Sequence, residues 1–278
     1  MNKKIYFILA LVVIAFLVMG TASAGLFDFL GGGNNNSARV TNDNNTLIVG
    51  FDAEFPPYGY KNGSEYVGFD LDLAQEVCKR NNWTLVKQPI DWDAKDAELN
   101  SGSIDCIWNG FTINGREKSY TWSEPYIDNK QVVVVKADSN IKSLSDLKGK
   151  IVETQKDSSA LHSLQGDNKT LGESFGKLQE VADYNTGFMD LESGACDAVA
   201  IDIGVAEHNI NSRNSTTKFV ILNDTISSEK YGIGFKLGNT QLRDQVQKTL
   251  DEMFADGTVA KIAANYTNDG VPGSLIQK

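Results

Sequence analysis

The amino-acid sequence predicts a two-lobed α/β fold, in which each lobe is a sheet built from βαβ units with flanking helices and two strands form a hinge. Three observations support this prediction. Short apolar runs alternate with amphipathic stretches from Thr46 onwards, the alternation restarts after Lys136, and the two halves share a short motif. Strands separated by helices of this length indicate βαβ units and parallel sheets.

The N-terminal segment has the features of a secretory signal. Lys3 and Lys4 precede an apolar run over residues 5–19, which is shorter than the roughly twenty residues that span a bilayer. Small residues at 22–24 suit cleavage by a signal peptidase. We expect residues 1–24 to be a signal peptide and the protein to be exported, to the periplasm or the cell surface; a retained anchor is the alternative. Residues 25–45, rich in Gly and Asn, are expected to form a flexible tether.

Composition and cysteine spacing argue against several classes of site. The 278 residues carry a net charge of −10 without a Lys/Arg cluster, which argues against nucleic acid as a partner. Cys78, Cys106 and Cys196 lie far from one another and from both histidines, and no metal-ligand spacing occurs. We expect no metal and no cofactor. Each cysteine is expected to be a small buried hydrophobe, and a Cys78–Cys106 bridge stays open.

In the first half of the chain, apolar runs predict strands and amphipathic stretches predict helices. The predicted elements are a buried strand at 47–51, ended by the Pro56-Pro57 turn, a helix at 70–81, a strand at 84–86, a helix at 94–100 and a buried strand at 104–108.

The second half repeats this order. The predicted elements are strands at 150–154, 178–181 and 198–201, and helices at 158–164, 187–192 and 205–211. The motif L-x-S-G-x-x-D occurs at 99–105 and again at 191–197. The apolar run 131–135 is predicted to cross between the lobes, and 231–235 to return, before helices at 240–254 and 259–265. Lobe 1 would then comprise 46–130 and 230–278, and lobe 2 residues 131–229.

Residues that follow strands are the candidates for a ligand cleft, because ligands of open parallel sheets bind beyond the carboxyl ends of the strands. These candidates are Asp52, Phe55, Tyr58, Asn109, Gly110, Phe111, Thr112, Arg116, Ser158, Ser159 and Asp202. An amino-acid zwitterion needs a cation and hydroxyls for its carboxylate and an anion for its ammonium. Arg116 with Thr112 supplies the first, and Asp202 supplies the second.

Each of these side chains also has a purely structural interpretation. Arg116 could pair with Glu117 or Glu124 at the surface, and Asp202 could cap the helix that follows it. The aromatic candidates, Trp92 and Phe55, could be ordinary core residues. Their joint placement at strand ends favours a site.

Several motifs in a fixed order resemble one known family. They lie at 52–57 (D-x-x-F-x-P), 68–74 (GFDLDLA), 99–105, 123–126 (S-x-P-Y), 148–150 (KGK), 197–202 (DAVAID), 231–233 (YGI) and 256–258 (DGT). Together they resemble the bacterial extracellular solute-binding proteins of the polar amino acid type. The resemblance runs from about residue 46 to residue 266 and implies a two-lobed periplasmic-binding-protein-like fold that closes about a hinge.

The resemblance implies a role for most candidate residues. Arg116 resembles the arginine that clamps the ligand carboxylate, Thr112 and Ser159 resemble hydroxyls that bind the same carboxylate, and Asp202 resembles the aspartate that binds the ammonium. Phe55 and Trp92 match positions that sandwich the ligand side chain. Asn109 and Gly110 match pocket-lining positions, and Asp52 matches a contact to the distal end. Three departures are a turn at 113–116 that is one residue short, Asp157 where Gly is common, and Trp108, which is large for its position.

The implied function is capture of a polar amino acid outside the cell and its delivery to the permease subunits of an ABC importer, by a monomer without catalytic residues. The alternatives are a dehydratase of the prephenate or arogenate type and a sensor ectodomain. Acidic residues near the expected cleft, Asp52, Glu54, Asp93 and Asp157, favour a basic ligand such as arginine or lysine. If those carboxylates point to solvent, glutamine or another neutral polar ligand fits equally well.

Overall fold

The structure, a computed structural model, describes residues 45–277. The predicted signal peptide, residues 1–24, and the predicted tether up to residue 44 lie outside the described residues. The strands are β1 (Thr46–Phe51), β2 (Glu54–Phe55), β3 (Gly59–Asn62), β4 (Glu65–Val67), β5 (Thr84–Pro89), β6 (Cys106–Ile107), β7 (Thr121–Trp122), β8 (Ile127–Lys136), β9 (Ile151–Gln155), β10 (Lys177–Val181), β11 (Ala198–Asp202), β12 (Phe219–Ile221), β13 (Ser227–Tyr231) and β14 (Gly234–Phe235). The helices are α1 (Phe69–Arg80), α2 (Lys95–Ser101), α3 (Ser159–Gln165), α4 (Lys169–Ser174), α5 (Tyr184–Ser193), α6 (Ile203–Ser212), α7 (Thr240–Ala255), α8 (Thr258–Ala263) and α9 (Val271–Ser274), with 3₁₀ turns at Trp92–Ala94, Leu144–Leu147 and Ala264–Asp269.

The first sheet has the strand order β5-β1-β6-β14-β7. β1 pairs in parallel with β5 and β6, whereas β14 pairs antiparallel with β6 and β7. The parallel pairs confirm the βαβ units predicted for the first half of the chain. α1 packs beside this sheet and buries one face, formed by Leu73, Ala74, Val77 and Cys78.

The second sheet has the order β10-β9-β11-β8-β12, and β13 also pairs with β8. β9 is parallel to β10 and β11, while β8 is antiparallel to β11, β12 and β13. The prediction that residues 131–135 cross between the lobes is wrong, because this run lies wholly within the second sheet. Its valines, Val132 to Val135, are buried, as expected for an apolar strand that is covered on both faces.

The chain passes between the two sheets at two neighbouring segments. It crosses over residues 123–126, between β7 and β8, and returns just after Tyr231. The Ser123 amide donates to the Ile233 carbonyl oxygen over 3.0 Å, and the Tyr126 amide donates to the Tyr231 carbonyl oxygen over 3.0 Å. The two-strand hinge therefore consists of segments that are hydrogen-bonded to each other.

The repeated L-x-S-G-x-x-D motif builds the same corner in both lobes. Gly102 and Gly194 end α2 and α5 in the left-handed conformation, with φ of 82° and 84°, which glycine adopts without a steric cost. The Asp105 carboxylate accepts from a backbone N–H of β1, and the Asp197 carboxylate accepts from one of β9, both over 2.8 Å. The motif thus fixes a helix end against β1 in the first sheet and against β9 in the second.

Some elements were absent from the prediction. A small sheet, β2-β3-β4, follows β1, and β7, β12 and α4 are also additional to it. Strands of two to four residues with exposed positions are too short to show an alternation of apolar and polar side chains. No helix between residues 45 and 277 is long and apolar enough to cross a membrane.

Candidate functional site

A narrow cavity lies where the carboxyl ends of strands from both sheets meet. It is lined by Phe55, Trp92, Gly110, Thr112, Arg116, Gln155, Ser158, Ser159 and Asp202. Eight of the ten predicted site residues are in this lining; Asp52 and Asn109 are not, and Gln155 was not predicted. The first lobe supplies the residues up to Arg116, and the second lobe supplies the others.

The loop after β6 is held by Asp70 of the GFDLDLA segment. The Asp70 carboxylate accepts from the Gly110 N–H over 2.6 Å and from the Tyr126 hydroxyl over 2.9 Å. Gly110 has φ of 56°, and a Cβ there would lie 2.8 Å from Cε1 of Phe55. Burial raises the pKa of Asp70 to about 7 although both hydrogen bonds lower it. Asp70 thus positions a glycine that lines the cavity.

Asp52 and Asn109 lie directly behind the cavity wall. The Asp52 N–H donates to Oδ1 of Asn109 over 2.8 Å, so the two loops that follow β1 and β6 are joined. The Asp52 carboxylate accepts from the Glu54 N–H over 2.8 Å and from Nε2 of Gln155 over 2.6 Å. Because Gln155 belongs to the second lobe, this last bond connects the lobes. Burial raises the pKa of Asp52 to about 6.

Arg116 extends from the first lobe towards the second. Its Nη1 donates to the Thr112 carbonyl oxygen over 3.4 Å, and its Nη2 donates to the Asp157 carbonyl oxygen over 3.0 Å. The guanidinium carbon lies 5.3 Å from the centroid of the Phe111 ring. The guanidinium is therefore held by carbonyl oxygens rather than by a neighbouring glutamate, and its remaining N–H groups are available to a carboxylate in the cavity.

Asp202 is the last residue of β11 and occupies the N-cap position of α6, but its side chain makes no capping hydrogen bond. Its Oδ1 accepts from Asn129 Nδ2 over 2.7 Å, from Gln131 Nε2 over 2.7 Å and from the Tyr231 hydroxyl over 2.6 Å. Burial, followed by the charge of Glu229, raises the pKa of Asp202 to about 7. A cation in the cavity would relieve this unfavourable burial.

The two predicted carboxylate-binding hydroxyls both contact Glu229, which was not predicted as a site residue. Thr112 Oγ1 donates to Oε1 of Glu229 over 2.7 Å, and the Ser159 hydroxyl donates to Oε2. Ser158 instead caps α3, because its side chain accepts from the Leu161 N–H over 3.1 Å.

Aromatic side chains form part of the cavity wall. The Phe55 ring lies 6.0 Å, centroid to centroid, from both Tyr58 and Tyr184. The half-buried Trp92 packs edge-to-face on Phe111 at 5.4 Å. The Lys95 ammonium lies 4.9 Å from the centroid of the Trp92 ring. Both predicted aromatics therefore combine packing contacts with a surface that faces the cavity.

The acidic residues that favoured a basic ligand have different surroundings. Glu54 and Asp93 are exposed, and the Asp157 carboxylate is engaged by Lys95 and His162. Asp52 alone of the four is buried next to a cavity-lining side chain. The electrostatic argument for a basic ligand therefore depends on fewer residues than the sequence suggested.

None of the three cysteines lines this cavity. Cys78, Cys106 and Cys196 are buried and free, and burial raises the pKa of the Cys78 and Cys196 thiols to about 12. Within residues 45–277, no group of three His, Cys, Asp or Glu side chains could hold a metal ion.

The fold agrees with the comparison to known families. The model of the bacterial extracellular solute-binding proteins, family 3, matches residues 47–269. The chain belongs to this family. This solute-binding protein is 30% identical to the arginine-binding extracellular protein ArtP of Bacillus subtilis (strain 168), over 79% of the chain and 85% of ArtP. Since the matched relatives are binding proteins, the chain is a binding protein and not an enzyme, and the dehydratase alternative is set aside.

Solved structures show the same architecture. A substrate-binding protein of an ABC uptake transporter from Streptococcus pneumoniae, with bound histidine, has a TM-score of 0.77 and 28% identity, covering 80% of this chain and 92% of that one. An ancestral arginine-binding protein bound to arginine has a TM-score of 0.74 and 37% identity, covering 80% and 98%. An ancestral arginine-binding protein bound to glutamine has a TM-score of 0.73 and 37% identity, covering 81% and 98%. The two-lobed fold is therefore common to this protein and its neighbours.

Proposed function

We propose that this solute-binding protein binds a basic amino acid, arginine or lysine, outside the cell and delivers it to an ABC importer. The observation that carries the proposal is that Arg116 of the first lobe and Asp202 of the second line one cavity. A guanidinium binds a carboxylate through two parallel hydrogen bonds, and a buried carboxylate binds an ammonium. An α-amino acid is the small molecule that presents both groups on one carbon.

Closure of the lobes follows from this arrangement. A ligand held by Arg116 and Asp202 contacts both lobes in the closed state and only one in the open state. Its affinity is therefore higher for the closed state, which it populates. The Phe55 and Trp92 rings would contact the ligand side chain, and a cationic side chain would gain about 0.5–2 kcal/mol from them.

The charge balance of the cavity favours a ligand with a net positive charge. Arg116 is the cation of the lining and Asp202 is its carboxylate, and the buried Glu229 carboxylate lies behind the lining, against the Thr112 and Ser159 hydroxyls. Asp52 adds a third buried carboxylate, hydrogen-bonded to Gln155 of the cavity lining. A zwitterion brings no net charge and leaves the carboxylates in excess, whereas arginine or lysine brings one positive charge.

Glutamine is the second candidate. Glu54, Asp93 and Asp157, three of the acids that favoured a cation, are exposed or paired elsewhere. The cavity also contains the Gln155 side chain, which can exchange hydrogen bonds with a neutral amide.

Calorimetric competition at moderate salt tests the ligand class. The ligands are arginine, lysine, histidine, glutamine, cystine and glutamate, preceded by a thermal-shift screen, since a ligand of the folded state raises stability by RT ln(1 + [L]/Kd). We expect arginine or lysine to bind most tightly. Asp52→Asn should reduce the preference for arginine over glutamine, and the matched control Asp93→Asn, at an exposed acid, should leave it unchanged. Glutamine or cystine binding about tenfold more tightly, with Asp52→Asn without effect, contradicts the basic ligand.

We further propose export through the signal at 1–24, tethering by 25–45, and a monomer that docks on permease subunits. The lobe bounds expected from the sequence, 46–130 with 230–278 and 131–229, move to the hinge segments at 123–126 and just after Tyr231, because β8 and β13 belong to the second sheet. Mass spectrometry of the mature N-terminus, light scattering and pull-down of membrane partners test these points. A mature protein that retains residue 1 contradicts cleavage of the signal, and a dimeric mass in light scattering contradicts the monomer.

A further inference from the structure

Glu229 is a buried carboxylate that contacts two residues of the cavity lining and that the sequence did not reveal. Its Oε1 accepts from Thr112 Oγ1 over 2.7 Å, from Asn129 Nδ2 over 2.7 Å and from Gln131 Nε2 over 2.8 Å. Its Oε2 accepts from the Ser159 hydroxyl. The residue is 5% exposed, and no Lys, Arg or His of the described chain forms an ion pair with it. Neutral donors alone therefore surround it, which is an expensive environment for an anion.

Asp202 shares these donors. Asn129 Nδ2 and Gln131 Nε2 each donate to Oδ1 of Asp202 as well as to Glu229. Oδ1 also accepts from the Tyr231 hydroxyl, whereas no donor from residues 45–277 reaches Oδ2. Asp202 therefore has one oxygen that is fully engaged and one that remains available to a ligand in the cavity.

The hydroxyl groups of Thr112 and Ser159 are the link between Glu229 and the ligand. A hydroxyl has one hydrogen to donate and two lone pairs that accept. Both hydroxyls donate that hydrogen to Glu229 and both residues line the cavity. They consequently present only lone pairs to a ligand. In this state they cannot donate to a ligand carboxylate, which is the role that the family resemblance implies for them.

We propose that Glu229 determines specificity for the ammonium group, by directing the hydroxyl hydrogens of Thr112 and Ser159 away from the ligand. The cavity then offers three acceptors, the two hydroxyl oxygens and Oδ2 of Asp202. An ammonium has three N–H donors, so these acceptors match it in number and in charge. The ligand carboxylate is left to the Arg116 guanidinium. This inference rests on the proposed binding of an amino acid and makes Glu229 a positioning residue within that site.

The test compares each amino acid with its des-amino analogue, in which a hydrogen replaces the ammonium. The probes are arginine with 5-guanidinopentanoate and glutamine with glutaramate, and the quantity measured is the ratio of the two dissociation constants for the better-bound pair. In Glu229→Gln the side-chain amide can donate to the hydroxyls, which then turn their hydrogens to the cavity. We expect this variant to reduce the preference for the amino acid about tenfold or more. Glu229→Asp keeps the charge and should retain most of the preference. Glu207→Gln changes a half-buried glutamate on α6 outside the cavity and should leave the preference unchanged.

A second variant keeps the test decisive if Glu229→Gln does not fold. Thr112→Val removes one hydroxyl with little change in shape. If the hydroxyl accepts from the ammonium, the amino acid loses affinity and the des-amino analogue does not, so the ratio falls about tenfold. If the hydroxyl donates to the carboxylate, both lose affinity equally and the ratio is unchanged, which overturns the proposal. A wild-type protein that binds no amino acid refutes the proposed function itself, whereas binding with an unchanged ratio refutes only the role of Glu229.

Discussion

The Lys95 ammonium, on α2 of the first lobe, forms an ion pair with the Asp157 carboxylate, which precedes α3 of the second lobe. Lys95 is only 1% exposed. Burial lowers its pKa, and the hydrogen bond and charge of Asp157 oppose that decrease. Burial alone would raise the pKa of Asp157, but hydrogen bonds from His162 and Lys95 hold it well below its usual range. The pair joins the lobes beside Arg116, which donates to the Asp157 carbonyl oxygen.

Lys95→Met should weaken closure. The variant keeps the buried stem of the side chain but removes the charge that holds Asp157, so the closed state is less populated without ligand. Apparent affinity falls in proportion to that population, and we expect about a tenfold loss. Small-angle scattering should show a larger radius of gyration for the unliganded variant. Lys79→Met, at an exposed lysine that pairs within α1, is the control. Unchanged affinity and scattering in Lys95→Met would show that closure is independent of this ion pair.

Arg116→Ala should cost about 2–5 kcal/mol of binding free energy, because the ligand carboxylate stays buried without its partner. Arg116→Lys should also bind poorly, since an ammonium cannot make the paired hydrogen bonds of a guanidinium. Calorimetric titration measures both effects. Arg80→Ala, which removes a surface ion-pairing arginine on α1, should bind like the wild type. A tight-binding Arg116→Ala would exclude a carboxylate clamp at this position.

Asp202→Asn should abolish most binding and leave the melting temperature nearly unchanged. The side chain does not cap α6, so the helix loses no hydrogen bond. The amide also removes a carboxylate whose pKa burial raises. Titration and thermal melting of the same sample separate a role of Asp202 in ligand binding from a role in capping α6. Normal binding combined with a much lower melting temperature would mean that Asp202 serves the helix rather than the ligand.

Asp70 should make stability depend on pH. Burial raises its pKa from 3.8 to about 7 in the folded chain, so the folded state binds more protons than the unfolded state between these values. The free energy of unfolding contributed by Asp70 is therefore greatest below the unfolded pKa, and it falls as the pH rises towards 7. Asp70→Asn removes this dependence. Its stability deficit relative to wild type, measured by urea unfolding, should be larger at pH 5 than at pH 7.5.

The control for this experiment is Asp91→Asn, at an exposed aspartate before the Trp92–Ala94 turn. It should shift stability equally at both pH values. A deficit of Asp70→Asn that is constant, or that grows as the pH rises, would contradict the direction of the pKa shift.

The rule that ligands bind beyond the carboxyl ends of parallel strands identified most of the residues that line the cavity. A small error in the predicted end of a strand does not matter here, because the residues that follow the strand still lie at the same edge of the sheet. Gln155 directly follows the strand predicted at 150–154, but the candidates chosen there were the serines at the start of the next helix; in the structure Gln155 is the last residue of β9. Glu229 was missed for a different reason. It precedes Tyr231 by two positions in β13, so both side chains face the same side of the strand. Alternation from the buried Tyr231 was a signal that could have identified it, but which partners it meets depends on pairing with β8.

Asp157 stands where the family resemblance leads us to expect a glycine, and the structure shows why an aspartate is tolerated there. The family position commonly holds Gly, and Asp157 has φ of 52°, a left-handed conformation that aspartate tolerates better than most residues. The departure therefore preserves the backbone conformation. The carboxylate that it adds is directed to Lys95 and His162 rather than into the cavity, a long-range contact that no local pattern encodes.

The insertion of β14 between β6 and β7 has a consequence for how the chain folds. The second sheet draws its strands from one continuous stretch, β8 to β13, whereas the first sheet needs a strand that follows the whole of that stretch. Contacts between distant residues form later, because a long loop must be closed first. We expect amides of β9 to β11 to become protected from hydrogen exchange before those of β6 and β14. Until β14 pairs with it, β6 presents an unpaired edge at which a newly synthesised chain is open to aggregation.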